Sequence, residues 1–66
     1  MSRRRPTHDD YARVRAGFVG AGLDRDFYNG DDIALLWSRY AGDVERIVAA
    51  AVQHARRIGT TKGVQL

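Results

Sequence analysis

Two apolar stripes of helical period, separated by only three residues, constrain this chain more than any other feature. From Val44 onward, Val44, Ile47, Val48, Ala51, Val52, Ala55 and Ile58 recur at the spacing of one helical face. Glu45, Arg46, Gln53, His54, Arg56 and Arg57 fall on the other side. Ala49, Ala50 and Ala51 favour the helix by propensity. Gly59 stands just past the last periodic residue, where a left-handed residue closes a helix, and Arg56 and Arg57 complement the negative end of its dipole. The pattern predicts a helix over about Asp43–Arg57. Ahead of it, Ile33, Leu36, Trp37 and Tyr40 form a second stripe, with Leu35 beside it, predicting a helix over Asp31–Tyr40. Asn29, Asp31 and Asp32 supply its N-cap and first-turn carboxylates. Ala41-Gly42-Asp43 between the stripes leaves room only for a sharp corner.

Upstream, Thr7-His8-Asp9-Asp10 has the form of a capping box with Thr7 as N-cap. A third helix is expected from about His8 to Val19 or Ala21, with Tyr11, Val14 and Phe18 inward and Arg15 or Val19 at the margin. Gly17, Gly20 and Gly22 follow the order G-x-x-G-x-G at a helix end, not the G-x-G-x-x-G of a strand-to-helix phosphate loop, so they predict close packing and a C-cap. In the connector Leu23–Gly30, Asp24, Asp26 and Asn29 fail the calcium-loop pattern: Tyr28, Asn29 and Leu35 stand at its fifth, sixth and twelfth positions. They read as turn and cap chemistry, with one ring of Phe27 or Tyr28 over the helix pair. Residues 1–6 are expected to be a disordered basic arm, 7–59 the folded domain and 60–66 a flexible tail.

Sixty-six residues make one small domain, whose single core is marginal unless its helices pack well or a partner adds to it. With no cysteine, neither disulfides nor thiolate metal sites arise. No apolar run approaches the ~20 residues of a membrane span, and no apolar segment follows the basic start to make a secretory signal. A cytoplasmic protein is expected. His8 and His54 stand far apart in sequence, and neither Ala50 nor Ile58 gives His54 a second ligand one helical turn away. Ser2 and Ser38 lack a nucleophile context, and Asp31 and Asp32 are adjacent at a helix start, where they splay apart. No catalytic, metal or cofactor residue is assigned, and the chain is read as non-enzymatic.

Charge is unevenly placed. The formal net charge is +3, and ten of the eleven basic residues are Arg. The two ends are basic and the middle, from Asp24 to Glu45, is acidic. Arg3, Arg4, Arg5, Arg46, Gln53, Arg56, Arg57 and Lys62 are the residues best suited to touch nucleic acid, the arginines through phosphate. Asp43 and Glu45 oppose this at the start of the last helix. Trp37 and Tyr40 are read as core, since so small a domain needs its largest apolar surfaces inside. Abundant Arg, Ala, Gly and Val suit a GC-rich bacterial genome or a phage growing in one.

The segment Leu36–Ala50, with its aromatic-Gly-polar corner before an Ala-rich helix, resembles a Fis-type helix-turn-helix pair over about fifteen positions. The further turn that precedes the recognition helix in those modules is missing here. Ala41–Ala49 is also similar to the G-D-V-E-x-A segment opening the last helix of ubiquitin-associated-type three-helix domains, whose resemblance implies a compact bundle that docks on protein partners. The long Leu23–Gly30 connector and the missing Met-Gly-Phe/Tyr loop depart from that family. Together these predict an all-α, compact three-helix domain with a helix-turn-helix-like second and third helix. The leading functional expectation is a small regulatory or accessory protein that binds DNA through that pair and the basic arms. A protein-docking module is the alternative, and self-association as a homodimer across Ala49–Ala50 a third reading.

Overall fold

The structure, a computed structural model, describes residues 5–62. Arg3 and Arg4 of the basic arm, and Val64 and Leu66 of the tail, lie outside the described residues. Three helices follow one another: α1 (His8–Gly20), α2 (Gly30–Arg39) and α3 (Val44–Ile58). No strand occurs among the described residues, so the fold is an all-α three-helix domain.

Local chemistry sets each helix start. The Thr7 hydroxyl accepts from the Asp10 amide at 3.2 Å, while the Thr7 amide donates to Asp10 Oδ2 at 2.9 Å, which completes the capping box. Asn29 Oδ1 accepts from the Asp32 amide at 2.8 Å, and Asp43 Oδ1 from the Arg46 amide at 3.2 Å. Gly59 closes α3 in the left-handed conformation. The α2–α3 corner is tighter than a single glycine would require. Ala41 has φ 54° and Gly42 φ 78°, and the Gly42 amide donates back to the Trp37 carbonyl at 2.9 Å. Trp37 lies over this corner: a Cβ on Gly42 would sit 3.0 Å from its Cζ2. The indole is therefore half-buried, packed on the core at one side and on the corner at the other.

The helices supply only part of the core. Val14, Phe18, Ile33, Leu36, Ile47, Ala51 and Ala55 are buried as their periodicity predicts, but Leu23, Phe27 and Tyr28 of the connector are buried with them. Both connector rings go inside, where one was expected. Phe27 stands edge-on to Tyr28 at 4.7 Å and to Phe18 at 6.3 Å, and Phe18 meets Tyr28 at 5.8 Å. Among the described residues, Val19, Leu35 and Ile58 are the large apolar side chains left exposed, one on each helix.

Arg15 explains why the connector folds inward. From the margin of α1 its Nη1 donates to the Arg25 carbonyl at 3.0 Å, the Tyr28 carbonyl at 3.2 Å and Asp26 Oδ1 at 3.3 Å. Asp24 Oδ1 tightens the same turn by accepting from the Asp26 amide at 2.9 Å. Arg15→Met keeps the apolar stem and removes these donors. It is expected to cost about 1.5–3 kcal/mol in urea denaturation, mainly through the two carbonyls left behind, since the ion pair to exposed Asp26 adds little.

α1 and α3 share the largest interface, and at Gly17 the two helices approach closely. A Cβ there would lie 2.6 Å from Val48 Cγ2, on a β-branched side chain with little freedom to move. Ala21 and Leu23 lie with Val52 and Ala55 further along, and the Asp24 amide donates to the Thr61 carbonyl at 2.8 Å, so α1 and α3 run in the same sense. Residues 60–62, expected in the tail, thus follow the connector, and Pro6, expected in the arm, is buried. Gly20 has nothing within 4 Å of its Cβ position. Gly17→Ala should therefore lower stability by about 1–2 kcal/mol through overpacking, while Gly20→Ala raises it by up to ~1 kcal/mol through helix propensity. Equal shifts in midpoint for the two variants would contradict the close approach.

Candidate nucleic-acid interface

α3 has two working faces. The apolar one packs on α1 and the connector. The opposite stripe, Arg46, Ala49, Ala50, Gln53, His54 and Arg57, follows the spacing i, i+3, i+4, i+7, i+8, i+11 and is left open. Leu36, Arg39 and Tyr40 at the end of α2 face it, and Tyr28 joins them from the connector. The result is an open groove of about 640 Å³. Three guanidinium groups line it, with no carboxylate among the lining residues. Two small side chains, Ala49 and Ala50, keep its middle shallow.

Of the residues chosen from sequence, the groove brings together Arg46, Gln53 and Arg57. Arg56 and Lys62 line a different groove of about 460 Å³ with Leu23, Val52 and Thr60, and Arg5 is exposed beyond the N-terminus of α1. Sequence reasoning missed Arg39, Tyr40 and His54 as groove residues. The signal for His54 was present, since it lies eight residues after Arg46 on the same helical face; that for Arg39 was not, because it needed the corner angle. Asp43 is held at the start of α3. One of its oxygens is occupied as the N-cap, and the other pairs with Arg46 Nε at 3.7 Å.

The inner end of the groove is organised by Tyr28 and His54. The Tyr28 hydroxyl and His54 Nδ1 are joined by a hydrogen bond of 2.6 Å, and the two rings lie 5.8 Å apart. Burial holds the Tyr28 phenol above its ordinary pKa of 10.0, reinforced by the nearby Asp32 carboxylate and by Tyr40. Asp32 Oδ2 is itself buried and, among the described residues, has no hydrogen-bond partner. A raised phenol pKa means that the fold favours the neutral form. Its contribution is complete below pH 10.0 and is lost as pH rises through the higher, folded value. Stability measured by denaturant titration should accordingly fall above pH 10, and Tyr28→Phe should flatten that alkaline loss while lowering stability at neutral pH by the His54 bond. An unchanged alkaline slope in Tyr28→Phe would assign the loss to other groups.

Among the described residues, no three His, Cys, Asp or Glu side chains gather as a metal site, and no helix is long and apolar enough to cross a membrane. Comparison with protein-family models, curated proteins and solved structures yields no match to the chain. The two family resemblances thus rest on residues 36–50 alone.

Proposed function

We propose that this domain is a small, non-enzymatic accessory or regulatory protein that binds DNA along the open face of α3. The observation that carries the reading is the groove lining: Arg39, Arg46 and Arg57 line it with Gln53 and no acid lines it, although Asp43 pairs with Arg46 at 3.7 Å from the side. Guanidinium groups held along one helix face are strong phosphate ligands. The binding residues are then Arg39, Arg46, Gln53 and Arg57, with the basic arm Arg3–Arg5 adding sequence-independent attraction and Arg56 and Lys62 a lesser share from the neighbouring groove. A cytoplasmic setting in a bacterium or its phage fits this role and the Arg-rich composition. The docking alternative draws on the exposed Val19, Leu35 and Ile58, one on each helix.

The test is fluorescence anisotropy of labelled DNA titrated with the protein at low and moderate salt. Binding that weakens steeply as salt rises supports phosphate contacts. Absence of binding at low salt would overturn the reading and turn attention to protein partners.

A further inference from the structure

We infer that the strand held in the α2–α3 groove is single-stranded rather than duplex. The inference rests on the nucleic-acid reading above and specifies its ligand. Three observations carry it.

The first is the end of α3 that a duplex would meet. A helix reading the major groove projects its N-terminal residues toward the base edges. Here that end carries Asp43 and Glu45. Asp43 cannot swing away without giving up the cap on the Arg46 amide, so a carboxylate would be driven between two rails of phosphate.

The second is where the cations sit. Arg46, Gln53 and Arg57 line a concavity that α2 closes from the other side with Arg39 and Tyr40. Cations on both sides of a concavity flank a single backbone along its length.

The third is the surface between the cations. Tyr40 and His54, both half-buried aromatic side chains, line the groove together with Ala49 and Ala50. A basic track with aromatic faces is the arrangement that single strands use, phosphates on cations and bases on rings, with little dependence on sequence.

The groove also sets a footprint. Arg46 and Arg57 are eleven residues apart, about 16 Å along the helix, which matches about five nucleotides at the ~3.4 Å spacing of a stacked strand. Three phosphate contacts on a single strand give a salt slope of about −2.

The experiment compares a labelled mixed-sequence single strand with the duplex of the same sequence, using the native protein, and then a length series of single strands. The expected result is at least tenfold tighter binding of the single strand, with affinity levelling off near five nucleotides. Tyr40→Leu keeps the apolar packing and removes the ring; it should weaken single-strand binding roughly fivefold to hundredfold, while Tyr40→Phe binds as the native protein does. Circular dichroism confirms that each variant is folded, and the strand-versus-duplex comparison does not depend on any variant. Equal or tighter binding of the duplex would overturn the inference while leaving the groove as a DNA site. Binding of neither at low salt would remove the nucleic-acid reading itself. A single-strand preference untouched by a folded Tyr40→Leu would overturn the stacking role of Tyr40.

Discussion

Phe27→Ala is expected to lower the unfolding free energy by about 3–5 kcal/mol, which at the lower end of ordinary stability abolishes the cooperative transition at room temperature. Phe27 is fully buried in the middle of the connector, with the rings of Phe18, Tyr28 and His54 around it. Truncating a buried Phe to Ala costs about 3–5 kcal/mol, because the lost transfer energy is joined by the cavity left behind. A 66-residue domain has about 3–10 kcal/mol in total at ordinary stability per residue. One substitution therefore removes from about a third to all of it. The readouts are far-UV circular dichroism and Trp37 fluorescence through a urea titration. Leu35→Ala, on a side chain 51% exposed, is the control and should move the midpoint by well under 1 kcal/mol. A Phe27→Ala protein within 1 kcal/mol of the native one would mean that the helices hold the core without the connector.

The largest functional effect is expected from removing Arg39, Arg46 and Arg57 together as alanines. With three phosphate contacts, native affinity should fall roughly 15- to 20-fold for a single strand, and about 40-fold for a duplex, between ~50 and ~200 mM salt. The triple variant should bind weakly at the lower salt and lose most of that dependence, keeping only what the basic arm and Arg56 and Lys62 supply. All three side chains are exposed, so its thermal midpoint should stay close to native. Arg13→Glu with Arg25→Ala instead lowers the net charge by the same three units at exposed positions outside both grooves. If both variants weakened binding alike, the attraction would belong to net charge and the groove would lose its special role.

Most of the helical frame is legible in the chain because its determinants are local. Thr7, Asn29 and Asp43 each bond to an amide three residues on, and the stripes Val14–Phe18, Ile33–Leu36 and Ile47–Ala51–Ala55 are consequences of a 3.6-residue repeat. Periodicity could not say which connector ring goes inside. Phe27 and Tyr28 are adjacent, and in a strand or helix they would diverge; the turn held by Arg15 and Asp24 lets both point inward. Nor could it rank apolar residues at the stripe edge, so Ile58, written into the inner face of the last helix, is 43% exposed at its end.

The candidate site divides in the same way. Arg46, Gln53 and Arg57 share a face by spacing alone, and sequence was enough to choose them. Their separation from Arg56 and Lys62, and their meeting with Arg39 and Tyr40, depend on the rotation that the Ala41–Gly42 corner imposes on α3 relative to α2. What the sequence by itself determined was the all-α class, the three helices and their caps, since hydrogen bonds and repeats within a few residues suffice for these. Only the tertiary structure decided that the connector forms the heart of the core and that two helices share one basic groove. Both depend on contacts between residues far apart in the chain, such as Arg15 with Tyr28 and Tyr28 with His54, whose geometry no local pattern encodes.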